Sequence, residues 1–252
     1  MRLVASPTVV PLDTPDLVRS LHRDVYSHAF PSVELVPAER FLARHDDGGL
    51  RSLGVVEDGL VVAGITGEWF PGPRVLLVLY LAIAPGRRGG GVGGLLVTSA
   101  LDRWRALDPQ LVVAEVEHPD HHAGSEAHGD PSARLRFYAR LGARAVAVPY
   151  FQPGDGPGGE RVPALVLVAL PVDAPPEHAD PPATVPGGPL RVFLAENLSD
   201  GEGTLARDGA ARRLLDAADH DLVPLVDPAD VPAMSALPVG LLDDDERYAP
   251  PA

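Results

Sequence analysis

The chain has 252 residues, 45% of them hydrophobic, with no cysteine, no lysine and a formal charge of −14. That length holds one large domain, or one domain with an extension, and the missing side chains exclude disulfides, thiolate nucleophiles, zinc–sulfur sites and lysine Schiff bases. The acidic balance speaks against nucleic acid and favours a cationic substrate such as an amine; no apolar run spans a membrane and the start lacks a signal-peptide pattern, so a cytoplasmic protein without a membrane partner is expected.

Thr14-Pro15-Asp16 is a helix start, a capping hydroxyl followed by proline at the first helical position. Leu17, Leu21 and Val25 put one face of that helix in the core, and His28-Ala29-Phe30-Pro31 breaks it. A second short helix opens at Val36-Pro37-Ala38-Glu39 and carries Phe41 and Leu42. Leu53 to Glu57 and Leu60 to Phe70 read as strands joined by Asp58-Gly59, a two-residue hairpin signal.

Pro71-Gly72-Pro73 turns the chain into the apolar run Val75 to Ala84, a buried strand. Arg87, Arg88 and the glycines 89, 90, 91, 93 and 94 follow, and a helix then runs through Leu95, Leu96, Ala100, Trp104 and Leu107. A helix whose first turn is nearly bare backbone offers unpaired N–H groups and a positive dipole end, a natural seat for phosphate. The cluster fits two patterns. Gly89-x-Gly91-x-x-Gly94, with Glu115 downstream to hold a ribose, matches a dinucleotide fingerprint; Arg88-Gly89-Gly90-Gly91-Val92-Gly93 instead resembles the R/Q-x-x-G-x-G/A loop with which the GNAT acetyltransferases grip the pyrophosphate of acetyl-CoA. A Walker loop is excluded because it requires a lysine.

Leu111 to Glu117 is the next strand, and Asp130-Pro131 caps a helix closed by Gly142 at a left-handed position. Between them the His118 to His128 loop holds four histidines and several carboxylates without the ordered spacing of a metal site, so no metal is expected. Ala143 to Phe151 and Val162 to Leu170 read as two final strands. Pro171 to Pro189 carries seven prolines, a linker composition. Beyond it Val192, Phe193, Leu194 and Leu198 mark one helix and Ala210 to Ala218 another, before an acidic end.

The second half of the pattern chooses between the two readings of the glycines. Phe137-Tyr138-Ala139-Arg140-Leu141-Gly142-Ala143 resembles the F-Y-x-x-L-G-F signature of the GNAT acetyltransferases, and Tyr138 falls 45 residues after Gly93, with a helix, a strand and a helix between. The resemblance covers residues 1–170. It implies a mixed, mostly antiparallel central sheet flanked by helices, here with a C-terminal helical extension. The corresponding division is an acetyltransferase domain at 1–170, a proline-rich linker at 171–190 and an extension of unassigned role at 191–252.

The resemblance also implies a site. Acetyl-CoA would be the cosubstrate, its pantetheine arm on the main chain of Leu81, Ala82 and Ile83 and its pyrophosphate on Arg88, Gly89, Gly90, Gly91, Val92, Gly93 and Gly94. Tyr138 matches the family's general acid and Glu115 a strand glutamate that some members use as base. Glu117 shares a strand face with Glu115, and His118 follows at the strand end, so Glu115, Glu117, His118 or water remain open as the base. Phe30 and Glu34 lie where the family builds its acceptor pocket, with Tyr150 for the other wall. The expected activity is direct N-acetylation of a primary amine on a small molecule or peptide; the rival is a catalytically silent member that binds CoA or a protein. Pro131 stands where the family often has a pantetheine-contacting asparagine, and Ala143 replaces a phenylalanine. The apolar residues past the linker need cover, either on this chain or in a homodimer.

Overall fold

In the computed structural model, which describes residues 7–32, 34–87, 90–124, 129–172, 182–205 and 207–240, Asp58 and Gly59 turn the chain with φ of 49° and 80°. Both central residues at positive φ make the turn whose twist matches the flanking strands, the reason an Asp-Gly pair marks a hairpin. The chain divides into two units, Met1–Trp69 with Leu77–Asp108, and Phe70–Leu76 with Pro109–Ala252.

The elements follow in chain order. The first unit holds β1 (Val9–Pro11), α1 (Pro15–Ser20) running on as a π-helical stretch Leu21–Tyr26 into α2 (Ser27–Ala29), α3 (Ala38–Asp46), β2 (Leu50–Glu57), β3 (Leu60–Phe70), β4 (Val75–Ile83) and α4 (Val92–Trp104), apart from the strand ends assigned to the other unit. Thr14 accepts from the Leu17 amide, the expected cap. The strand order is β1-β2-β3-β4, with β1 antiparallel to β2 (Val10 opposite Gly54) and β2 antiparallel to β3 (Leu53 opposite Ile65). Leu21, Val25, Tyr26, Phe41 and Tyr80 fill the core below. Tyr80 pins the segment after α2: its hydroxyl donates to the Glu34 carbonyl and accepts from the Val36 amide, each at 3.0 Å.

The second unit holds β5 (Leu111–Glu117), α5 (Pro131–Arg140), β6 (Arg144–Val146), β7 (Leu165–Leu170), β8 (Thr184–Pro186), α6 (Gly187–Glu202), α7 (Gly209–Ala217), β9 (Leu222–Val226) and α8 (Val231–Ser235). Its strands run β5-β7-β6-β9-β8, and the paired registers are antiparallel, including Glu115 opposite Leu167 and Ala145 opposite both Val168 and Val226. Asp130 caps α5 by accepting from the Ser132 amide, and Gly142 closes it at φ 84°. Among the described residues, nine strands, mostly antiparallel and flanked by helices, give the mixed α/β architecture that the resemblance implies.

Four features differ from the sequence reading. Strand β1 precedes the first helix, too short to show a period. Only Arg144–Val146 of the stretch 143–151 is ladder strand; beyond it the Val148 and Tyr150 amides bond two residues back, and Tyr150 makes an isolated bridge to Val239. The part of the chain after the proline-rich stretch is not only helical, because β9 joins the second unit's strand array, next to β8 from within that stretch. Helix α6 begins at Gly187, inside the stretch whose composition suggested a linker. Proline is tolerated in a first helical turn, and Gly187 is there for close approach: a Cβ would come within 1.8 Å of the His220 carbonyl oxygen. The acidic end and residues 173–181 lie outside the described residues.

Candidate active site

The candidate residues fall into two groups. The first is the start of α4, in the first unit. Gly90 and Gly91 adopt φ of 65° and 76°, and Gly91 stands at the N-cap without a side-chain cap. The first intrahelical bond runs from the Leu95 amide to the Gly91 carbonyl at 3.0 Å, so the amides before Leu95 precede the helical ladder. A Cβ at Gly90 or Gly91 would meet nothing within 4 Å. Positive φ and open space together describe backbone exposed to an incoming group, with N–H donors and a positive dipole end behind it. Arg88 and Gly89 lie outside the described residues. Arg87 pairs with Glu57 at 2.5 Å, so its charge is locally balanced. On β4, Ala82 is buried in the core while Leu81 and Ile83 are half-buried.

The second group belongs to the second unit and centres on Glu115 of β5. Its carboxylate accepts from the Tyr150 hydroxyl on one oxygen and from Gln152 Nε2, at 3.1 Å, on the other. Asn197 Nδ2 of α6 donates to the Tyr150 oxygen at 3.1 Å. Burial, and then the negative Glu115 beside it, push the Tyr150 phenol well above the usual tyrosine value. Tyr150 is therefore a neutral donor, and its single proton faces the carboxylate.

Helix α5 carries a further candidate, Tyr138. Arg134 and Tyr138 lie four residues apart on one helix face. Arg134 pairs with Glu117, the other carboxylate on the face of Glu115. Tyr138 is buried, packed edge to face on Phe137, and burial pushes its phenol up to about 12, with the Arg134 charge pulling the other way. It keeps its proton throughout the physiological range.

His118 is buried with both ring nitrogens used: Nδ1 accepts from the Asp120 amide at 3.2 Å, which leaves Nε2 to donate to the Met234 carbonyl at 3.3 Å. This histidine ties the end of β5 to α8. In the first unit Phe30 packs on Tyr26 and Tyr80, with ring centroids 5.8 and 4.9 Å apart, and Glu34 is exposed just beyond it. Among the described residues no group of three or more His, Asp and Glu is arranged to hold a metal ion, and no helix is long and apolar enough to cross a membrane.

The sequence reading gave Glu115 and Tyr150 separate roles, base and pocket wall; the structure joins them by a hydrogen bond. It missed Asn197, whose only signal was an amide between Leu194 and Leu198 on an otherwise apolar helix face.

The GNAT acetyltransferase family profile matches residues 16–143, just over half of the chain. The chain belongs to the GNAT family, whose members are acetyl-CoA-dependent acyltransferases with amine-bearing acceptors. Among solved structures, one from Bacteroides thetaiotaomicron described as a GNAT-family acetyltransferase is 23% identical, with 65% of this chain and 86% of that chain covered at a TM-score of 0.50. YncA of Salmonella typhimurium, solved with acetyl-CoA, is 21% identical over 71% of this chain and 99% of its own, at 0.45. The ribosomal-protein-S18-alanine N-acetyltransferase of Escherichia coli is 17% identical over 69% and 99%, at 0.46. At such identities the likeness concerns the fold alone. No protein of curated function shows a significant match.

Proposed function

We propose that this chain is an acetyl-CoA-dependent N-acetyltransferase that moves an acetyl group directly to a primary amine of a small molecule or peptide. In this reading residues 1–170 form the acetyltransferase domain, 171–190 the proline-rich connection and 191–252 an extension. A cytoplasmic place of action fits a reaction that draws on acetyl-CoA. The observation that carries the reading is the start of α4, where uncapped amides lie behind two left-handed glycines with open space above them.

The amides of Gly90, Gly91, Val92, Gly93 and Gly94 would receive the pyrophosphate, with Arg88 and Gly89 completing the motif and the main chain of Leu81, Ala82 and Ile83 receiving the pantetheine arm. Acetyl-CoA supplies the activated acetyl thioester. With no cysteine in the chain, no thiolate is at hand to hold the acetyl group between donor and acceptor.

The remaining work is proton transfer. An amine nitrogen attacks only after losing its proton, and in this reading Glu115 takes it, directly or through a water. Glu117 is neutralised by Arg134 and His118 uses both nitrogens, so the base role falls to Glu115. Glu117, His118 and Tyr150 are the proposed acceptor contacts of the second unit, and Phe30 and Glu34 those of the first. The Tyr138 phenol, neutral up to about pH 12, offers its proton to a sulfur that is gaining negative charge. A free thiol ionises near 8.5, so this phenol acts chiefly as a hydrogen-bond donor to the departing sulfur.

Titration calorimetry with acetyl-CoA, and with NAD as the competing ligand, tests the site; saturable binding of acetyl-CoA alone is expected. A second reading, a CoA-binding protein without turnover, is favoured by one observation: Glu115 already accepts from two protein donors. Binding without thiol release from acetyl-CoA across a panel of amines would decide for it.

A further inference from the structure

Helix α6 lies along the segment Tyr150 to Arg161 and touches it at successive turns. Asn197 donates to Tyr150, the Gly201 carbonyl accepts from the Gly156 amide at 2.7 Å, and Glu202 pairs with Arg161 at 2.5 Å. The approach at Gly201 is close enough that a Cβ there would come within 2.8 Å of the Pro153 side chain. One turn before Asn197, Phe193 packs edge to face on Phe70 at 5.0 Å, and Leu194 and Leu198 are buried on either side. Asn197 is thus held in place by contacts that have nothing to do with its own amide.

A tyrosine hydroxyl has one proton to give and lone pairs to receive. With Asn197 donating to the Tyr150 oxygen, the phenolic proton is left to point at Glu115 Oε1, while Gln152 holds Oε2. The carboxylate plane is fixed from both sides, and one of the two supports is itself oriented from α6. We infer that Asn197 is a positioning residue for Glu115, acting through Tyr150, so that the helix following the proline-rich stretch forms part of the catalytic apparatus. This rests on the reading of Glu115 as the base.

The consequence is a specific pattern of coupling. Loss of the Asn197 amide frees the Tyr150 hydroxyl to rotate, and the carboxylate loses its fixed direction without losing its charge. Such a change lowers kcat and leaves the affinity for acetyl-CoA, which is bound elsewhere, unaltered. Residues that act as a unit are non-additive.

The test uses the full chain and four variants: Asn197→Ala, Asn197→Asp, Tyr150→Phe and Glu115→Gln. Asn197→Asp is nearly isosteric but brings an acceptor in place of a donor, and it keeps the experiment decisive if the alanine variant folds poorly. With any amine that supports turnover, both Asn197 variants are expected to lower kcat by about tenfold with KM for acetyl-CoA unchanged, and to add nothing in the Tyr150→Phe background. Independently of turnover, protein carrying 13Cζ-tyrosine should show one signal that disappears in Tyr150→Phe and moves in Asn197→Ala. An unmoved signal overturns the inference whatever the kinetics. A moved signal with unchanged kcat, or full additivity with Tyr150→Phe, overturns the positioning role alone. Full activity in Glu115→Gln would instead remove the base reading, and the inference with it.

Discussion

The Tyr150 hydroxyl donates to the Glu115 carboxylate across 35 positions of sequence, and the same oxygen accepts a hydrogen bond from Asn197. A carboxylate at a strand position where side chains reach a functional face is an ordinary observation. One that accepts from a buried phenol and an amide, with a second amide behind the phenol, is oriented.

Glu115→Gln keeps the shape and removes the base, so kcat should fall by roughly 10²–10⁴ with the loss greatest at low pH, where free amine is scarce. Raising the pH deprotonates more amine and should partly restore it. Tyr138→Phe should also be slow, but with no such rescue, because the phenol stays protonated to about pH 12. The two pH–rate profiles must therefore differ. Profiles of the same shape would contradict the separate assignment of the two protons.

The glycine loop gives a binding prediction. Gly91→Val places a branched side chain at φ 76°, over the amides that would receive the pyrophosphate. The left-handed backbone alone costs about 1–2 kcal/mol at a non-glycine residue, and the side chain fills the open space. Calorimetry should show acetyl-CoA affinity reduced beyond measurement while circular dichroism reports a folded chain. Wild-type affinity would displace the phosphates from this loop.

Alkaline titration tests the buried phenols. Tyr26, Tyr138 and Tyr150 are all raised by burial, so a folded protein should show delayed tyrosinate absorbance at 295 nm. For Tyr138 the sign is as follows. Its folded value near 12 exceeds the unfolded value of about 10, so its contribution is complete below pH 10 and lost as pH rises to 12. Unfolding in urea should become easier over that window. Midpoints unchanged from pH 9 to pH 12 would mean these rings are solvated.

A buried ion triad joins α6 and α7 to the loop before β7. The Arg161 side chain is 6% exposed, pairs with Glu202 at 2.5 Å and Asp208 at 2.8 Å, and lies over the Phe151 ring at 4.7 Å. Asp208 also caps α7 through the amides of Ala210 and Ala211. Arg161→Met leaves two carboxylates without their shared cation, and removing one partner of a buried pair costs about 3–5 kcal/mol. The melting temperature should drop by on the order of 10 °C. A drop under a degree would show that the triad contributes little net stability.

Local chemistry explains what was legible in the sequence. The Asp58-Gly59 turn, the Thr14 and Asp130 caps, Gly142 and the helix start at Gly91 each depend on a few adjacent residues, and each stands where it was read. What escaped depends on residues far apart. Strand β9 reads as a short apolar run with a proline in the middle, and only pairing with β6 and β8 gives it a role. The Gly187-Gly188-Pro189 start of α6 looks like a linker, because the sequence does not reveal that the His220 carbonyl closes on Gly187. Within the site, the types of Glu115, Tyr138 and Tyr150 were readable, but the bonds among Glu115, Tyr150, Gln152 and Asn197 were not.

The most direct measurement is amine-dependent release of free thiol from acetyl-CoA by the full chain, followed by mass analysis of the amine. The expected result is thiol release with at least one primary amine, matched mole for mole by acetylated product and slowed in both Glu115→Gln and Tyr138→Phe. Saturable acetyl-CoA binding with no amine-dependent release, or release that both variants leave untouched, would contradict it.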